Sequence, residues 1–368
     1  MKGETLRAGT REFGSGKPLL IAELGTGHGG DPVKARELCD AAVEAGADCV
    51  KFQIVYAGEI LHPNTGEVTL PGGKIRLYDR FKQLEMPADF FREMKEYAES
   101  RGLLFLCTPF GMRSAAELKA LEPRLVKIAS PELNYTALLR ELSGWGLPVL
   151  LSSGVSRLAD IEEALGLLAG VPVCLLHCVT AYPAPETDYN LRILNNLAGI
   201  FGVPVGISDH SRDPELVPAL AAALGAACIE KHFCLRREDP GLDDPIALPP
   251  ADFARMVRAV RGAARAGRDE TVAACKRERG EALVEAVLGD GVKRLAPSER
   301  ANYERTNRSI HALRGIAAGE TIGPGDFAVL RTEKVLRPGL PPSWAERISG
   351  RTARRPIPAG EGIRFEDV

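Results

Sequence analysis

The 368-residue chain lacks an excess of charge of either sign: 47 Lys and Arg stand against 49 Asp and Glu, a formal net charge of −2. That balance argues against a nucleic-acid binder working through a broad basic field. The chain also lacks an unbroken apolar run of membrane length. Its longest stretch free of Asp, Glu, Lys and Arg, Ala164 to Pro185, is interrupted by Gly170-Val171-Pro172, His177 and Pro183 and reads as a helix end, a turn and a strand. Met1-Lys2-Gly3-Glu4 is not followed by the apolar segment of a secretory signal. No CxxC pair occurs among the eight cysteines, and Cys49, Cys174 and Cys228 lie inside apolar runs, the pattern of buried free thiols in a reducing cytosol. The expectation is a cytoplasmic globular protein with no nucleic-acid or membrane partner.

What the sequence does contain is a rhythm. Short aliphatic runs occur at Pro18–Leu24, Cys49–Gln53, Leu103–Pro109, Leu125–Ser130, Pro148–Gly154, Val173–Val179, Pro204–Asp209 and Ala227–Phe233. Most are nearly continuously apolar, as strands buried on both faces are. Helical patterns lie between them. Asp31-Pro32 offers an N-cap and a first-turn proline, Ala35, Leu38, Ala42 and Ala45 share one side, and Gly46 stops the helix. Leu84–Arg101, Arg113–Leu121, Thr136–Gly146, Arg157–Ala169, Asn190–Phe201 and Pro214–Leu224 read alike. Eight βα units predict an α/β fold, a (β/α)8 TIM barrel, with a doubly wound sheet as the competitor. The segment from Ile54 to about Arg80 breaks the rhythm and reads as a long loop or hairpin at the active face.

The expected divisions are a catalytic barrel over 1–285, ending in the helical stretch Asp252–Glu285, a charged linker over 286–305, and a small β-rich module over 306–368. Within the module, Ile316-Ala317-Ala318-Gly319-Glu320-Thr321-Ile322 echoes Ile357-Pro358-Ala359-Gly360-Glu361-Gly362-Ile363, one turn chemistry used twice. So short a module buries little surface and is expected to lean on another part of the protein.

In a barrel, chemistry collects at the C-terminal strand ends. Those ends carry Glu23; Lys51 and Gln53; Thr108; Lys127 and Ser130; Ser152 and Ser153; His177; Ser208, Asp209 and His210; and Glu230, Lys231 and His232. A lysine inside an apolar strand is costly unless it meets an anion or a carboxylate. Lys51 and Lys127, with the hydroxyls of Thr108, Ser130, Ser152 and Ser208, suit a phosphate monoester; salt bridges to Glu132 or Glu230 are the structural alternative. His210 and His232 end neighbouring strands, so their imidazoles can meet one divalent ion and leave open positions, or can be plain hydrogen-bonded histidines. Glu23 and Asp243 add carboxylates near the mouth, as bases, sugar ligands or loop salt bridges.

The strings Ala22-Glu23-Leu24-Gly25, His28-Gly29-Gly30, Ala45-Gly46-Ala47-Asp48 and Val50-Lys51-Phe52-Gln53 resemble the start of the sialic acid synthase family. So do Thr108-Pro109-Phe110, Lys127-Ile128-Ala129-Ser130, Leu151-Ser152-Ser153-Gly154, Leu176-His177-Cys178 with Tyr182-Pro183, Ser208-Asp209-His210-Ser211 and Glu230-Lys231-His232-Phe233 at the later strand ends. The final module resembles that family's antifreeze-like (SAF) domain through Asn307-Arg308-Ser309 and Arg337-Pro338-Gly339. The resemblance covers about residues 17–368 and departs at Gly27, Gly111, Pro131, Thr180 and Pro341.

The resemblance implies condensation of phosphoenolpyruvate with an N-acetylated amino sugar aldehyde, N-acetylmannosamine or a relative, to a nonulosonic acid and phosphate. It implies that Lys51, Thr108, Lys127, Ser130, Ser152 and Ser208 hold phosphoenolpyruvate. His210 and His232 would bind a divalent ion, Mn2+ foremost and Mg2+ or Co2+ otherwise. Gln53, Tyr182 and Asp243 would touch the sugar, with Glu23, His210 and His232 as the catalytic groups. Arg308 would reach a partner subunit's mouth in a domain-swapped homodimer and meet the sugar's acyl group. The competing readings are a legionaminate, pseudaminate or octulosonate type of synthase, and a non-catalytic carbohydrate-binding protein.

Overall fold

Residue parity along the strands decides what the protein presents inward. The computed structural model describes residues 5–70, 73–333 and 335–368. Its strands are β1 (Leu6–Ala8), β2 (Arg11–Phe13), β3 (Leu19–Gly25), β4 (Cys49–Ile54), β5 (Glu67–Leu70), β6 (Gly73–Arg76), β7 (Leu104–Pro109), β8 (Val126–Ile128), β9 (Val149–Ser152), β10 (Val173–Cys178), β11 (Val205–Asp209), β12 (Cys228–His232), β13 (Arg308–Ala312) and β14 (Phe327–Arg331). Eight form one parallel ladder in the order β7-β4-β3-β12-β11-β10-β9-β8. The end strands β7 and β8 lie side by side, so the sheet curls into a barrel rather than a doubly wound layer.

Alternate residues face the lumen. Its lower half is filled by Leu19, Ile21, Cys49, Leu104, Leu106, Leu150, Cys174, Leu176 and Cys228. Gly206 belongs to that layer because a Cβ there would sit 2.4 Å from the Cys228 carbonyl oxygen. The hairpin β1–β2, which the apolar runs did not announce, plugs this end with Leu6, Ala8 and Phe13. The outward set, including Leu20, Val50, Phe105, Val126, Leu151, Leu175, Ile207 and Ile229, packs against the helices.

The helices are α1 (Pro32–Glu44), α2 (Ala57–Ile60), α3 (Leu77–Gln83), α4 (Ala88–Ser100), α5 (Met112–Ala120), α6 (Thr136–Ser143), α7 (Leu158–Leu167), α8 (Ile193–Phe201), α9 (Leu216–Ala223), α10 (Pro250–Ala266), α11 (Arg268–Arg279) and α12 (Glu281–Leu288). The helix expected over Leu84–Arg101 begins only at Ala88, because Pro87 is its extended N-cap and no proline fits further in. The single helical stretch expected over Asp252–Glu285 is three helices, broken at Gly267 and Gly280, whose φ of 82° and 91° leave the helical region. The insert after β4 is a hairpin, β5 against β6 in antiparallel register. The Pro71-Gly72 part of its expected turn lies outside the described residues. No helix among the described residues is long and apolar enough to cross a membrane.

The C-terminal module has its own small core of Ile310, Ile316, Ile322, Leu340, Ile348, Ile357 and Ile363. Its two related turn sequences pair with each other: Ile316 and Ile357 exchange backbone hydrogen bonds, 2.9 Å each way. The module does lean on the barrel. Asn134, past β8, brackets the Arg308 backbone through both its amide atoms, and Asn64 donates to the Ala359 carbonyl at 3.1 Å.

Candidate active site

The upper half of the lumen opens into a cavity of about 440 Å3. Glu23, Lys51, Gln53, Lys127, Ser130, Ser152, Tyr182, Ser208, His210, His232 and Asp243 all line it, eleven of the residues expected to act. Strand parity brings them together. Glu23 follows Leu19 and Ile21 inward on β3, and Lys51 and Gln53 follow Cys49 on β4. Ser208 and His210 follow Gly206, and Glu230 and His232 follow Cys228.

At the floor, Glu230 ties the two lysines together. Its Oε1 lies 3.2 Å from Lys51 Nζ and 3.8 Å from Lys127 Nζ, and accepts from Ser208 Oγ at 2.8 Å. Lys51 also reaches Glu23 Oε2 at 3.3 Å, and Lys127 donates to Ser152 Oγ at 2.6 Å. Burial opposes the charge on Glu230, yet Lys127 and Lys51 hold its carboxyl down at about 2. Glu23 goes the other way: burial pushes it up to about 7 against the pull of Lys51. Burial lowers Lys127, with Glu230 opposing, whereas for Lys51 the two carboxylates outweigh burial and raise it. The cavity floor therefore sets one firm carboxylate and one that titrates near neutrality against two lysines. Among the described residues Glu230 Oε2 and Thr108 Oγ1 are buried with no hydrogen-bond partner, and Glu23 Oε2 has only its ion pair with Lys51.

The two histidines form the wall beside this floor. Their ring centroids are 5.4 Å apart. His210 Nδ1 is 2.9 Å from the Val179 carbonyl oxygen, which commits that nitrogen as donor and leaves Nε2 as the atom that could ligate. Burial, and the neighbouring His210, keep His232 well below the ordinary imidazole range, so its ring is neutral. Tyr182 stacks on His210 at 4.3 Å and meets His232 edge-on. Asp243 Oδ2 is 3.6 Å from His232 Nδ1. This donor set fits a divalent ion held by two imidazoles with its other positions open to oxygen ligands. No group of three or more His, Cys, Asp or Glu side chains among the described residues is arranged to hold a metal.

Thr108 follows Leu104 and Leu106 inward on β7 and lies in register with Gln53 of the cavity lining. Arg308 is docked in the same chain, fully buried, with Nη2 2.8 Å from Glu132 Oε1 and a further hydrogen bond to the Phe110 carbonyl. The physical reason is the carboxylate, which a buried guanidinium needs. Arg331, cross-strand partner of Arg308, takes the same Glu132 oxygen at 2.8 Å and does line the cavity. His28 and His177 are outside, His28 against Phe90 and His177 donating to the Tyr189 carbonyl.

Sequence reasoning had Glu230 only as a salt-bridge partner and missed Arg331, Cys178 and Asn302, which also line the cavity. Glu230 was within reach, since it sits two residues before His232 and so shares its face. Arg331 arrives through module docking and Asn302 through the linker, where it donates to the Thr180 carbonyl at 2.9 Å; neither has a local signal.

A family model described as the NeuB family matches residues 38–271, and one described as the SAF domain matches residues 307–368. The spore coat polysaccharide biosynthesis protein SpsE of Bacillus subtilis is 33% identical over 95% of this chain and 93% of its own. Its crystal structure superposes with a TM-score of 0.82 over 99% of both chains at 32% identity. The N,N'-diacetyllegionaminic acid synthase of Campylobacter jejuni is 30% identical over 95% of this chain and 99% of that one. The crystal structure of the N-acetylneuraminic acid synthetase of Leptospira borgpetersenii matches with a TM-score of 0.66, at 30% identity, over 82% of this chain and 96% of that one. The first family model spans more than half of the chain, and the barrel, cavity and module agree with it: this protein is an enzyme of the NeuB family, with an SAF domain at residues 307–368.

Proposed function

We propose that the enzyme condenses phosphoenolpyruvate with an acylated amino sugar aldehyde, giving a nonulosonic acid and inorganic phosphate. The observation that carries this reading is the junction of two features in one cavity, a two-lysine floor lined with serines and a two-histidine wall. The names of the synthase relatives support the same class.

Lys51 and Lys127 neutralise the phosphate, while Ser130, Ser152 and Ser208 orient its oxygens. The methylene carbon of the enol then forms a bond to the aldehyde carbon, and the aldehyde oxygen takes up a proton. Water adds to the enolpyruvyl carbon, and the bond from that carbon to the phosphate oxygen breaks. The lysines favour departure of the dianion. Glu23, poised near neutrality, takes the proton of the entering water. A divalent ion held by His210 and His232 would supply Lewis acidity towards the sugar carbonyl. Tyr182 shields that wall, and Gln53 and Asp243 offer an amide and a carboxylate to sugar hydroxyls.

The test supplies purified enzyme, phosphoenolpyruvate and Mn2+ with a panel of acyl-amino sugars and with a pentose phosphate, and reads phosphate release and product mass. A nine-carbon acid from an acyl-amino sugar is expected. Turnover with the pentose phosphate alone would make the enzyme an octulosonate type; no phosphate release with any sugar would overturn the reading.

A further inference from the structure

The strand ends carry a second polar set behind the lumen, which the proposed chemistry does not use. Ser208 and His210 face the cavity, so Asp209 between them faces the helix layer, as Lys231 does between Glu230 and His232. Asp209 and Lys231 form an ion pair of 2.6 Å whose side chains are 0% and 1% exposed. Tyr189, from the loop after β10, completes the set: its hydroxyl donates to Asp209 Oδ1 at 2.6 Å.

Every capacity in this set is used. The Tyr189 oxygen accepts the backbone N–H of His210 at 2.7 Å and of Ser211 at 3.1 Å. Asp209 Oδ1 also accepts Ser211 N–H at 2.8 Å. Lys231 Nζ donates to the Ser211 carbonyl at 2.6 Å, to Ser211 Oγ at 3.0 Å and to the Asp213 carbonyl at 3.2 Å. A buried ion pair is a poor source of stability compared with apolar residues of the same shape. What this one does is pin the backbone on both sides of the His210 side chain, whose Nδ1 is pinned separately by Val179.

We infer that Tyr189, Asp209 and Lys231 are positioning residues that aim His210 Nε2 into the cavity and so set the enzyme's affinity for a divalent cation. The inference rests on the two-imidazole site proposed above. Orienting groups behind a metal-binding histidine contribute 10–100-fold to affinity.

The experiment titrates Mn2+ alone into the full-length protein, reads free ion by electron paramagnetic resonance, and measures inorganic phosphate affinity by calorimetry on the same samples. Tyr189→Phe keeps the ring and removes the acceptor; it is expected to weaken Mn2+ roughly 10–100-fold while phosphate affinity stays within twofold. Lys231→Met is expected to act in the same direction, and Tyr189→Phe decides the matter where that variant does not fold. Tyr189→Phe with Mn2+ affinity within twofold of wild type overturns the inference, as does a parallel loss of Mn2+ and phosphate affinity. His210→Ala separates the two levels. If it binds Mn2+ as tightly as wild type, or if wild type binds none, the cation site falls and the inference with it. If His210→Ala loses the ion and Tyr189→Phe does not, only the positioning role falls.

Discussion

Arg308 and Glu132 form an ion pair that solvent does not reach: Nη2 and Oε1 are 2.8 Å apart and neither side chain has exposed area. One comes from the SAF domain and the other from the barrel, so the pair is the anchor of the domain interface. Arg331 shares the same oxygen but keeps 11% of its side chain exposed at the cavity. The two arginines therefore separate structure from function. Arg308→Ala is expected to destabilise the protein by about 1.5–3 kcal/mol in a denaturant titration, since it removes the buried hydrogen bonds to Glu132 while Arg331 still pairs with that carboxylate. Arg331→Ala is expected to raise the acceptor KM about tenfold, one hydrogen bond to a charged group, and to leave the KM for phosphoenolpyruvate within twofold. Equal acceptor KM values for wild type and Arg331→Ala would remove Arg331 from the site.

Glu230→Gln tests the clamp between the lysines. The substitution keeps a partner for Ser208 but removes the charge that Lys51 and Lys127 share. Losing one member of a buried charge cluster costs about 3–5 kcal/mol. Inorganic phosphate can replace that charge, so it should raise the melting temperature of Glu230→Gln by more than that of wild type. An equal rise in the two proteins would show that phosphate does not bind between the lysines.

How much of this was legible in the sequence can be argued residue by residue. The barrel was, because eight apolar runs carry their own period. The lysines and histidines were, because charge inside such runs demands a partner. The inward facing of Thr108 and Ser208 was legible too, because each stands two residues beyond an inward position, Leu106 on β7 and Gly206 on β11. The docking of Arg308 against Glu132 of the same chain had no local signal. Its pairing with Glu132 spans 176 positions, and its register opposite Arg331 is set by the β13–β14 ladder. The breaks at Gly267 and Gly280 were not legible from glycine alone, since Gly262 in the same stretch stays inside α10.

Glu23 gives a pH-dependent prediction. Its carboxyl is raised to about 7 by burial, and the proposed role needs the carboxylate. The sign follows: kcat/KM should fall as pH drops through 7, tenfold per unit at the limit, and level off above it. Glu23→Gln should lose about 10²–10⁴-fold in kcat and show no such limb. A profile whose acid limb survives in Glu23→Gln assigns the titration to another group.

Three buried histidines give a stability prediction of the opposite cause. Burial holds His28 at about 4, His177 at about 3 and His311 at about 4. All are below the unfolded value of about 6.5, so the unfolded chain binds more protons in acid. Their contribution is complete above pH 6.5 and is lost as pH falls towards 4. At pH 5 each costs about 2 kcal/mol. Glu23, raised rather than lowered, works against this loss, but one carboxyl does not offset three imidazoles. The urea midpoint should therefore be lower at pH 5 than at pH 7.5. His177→Gln, whose amide can still donate to the Tyr189 carbonyl, should have the shallower dependence. A midpoint that stays level or rises on acidification would mean these imidazoles are not held neutral in the folded protein.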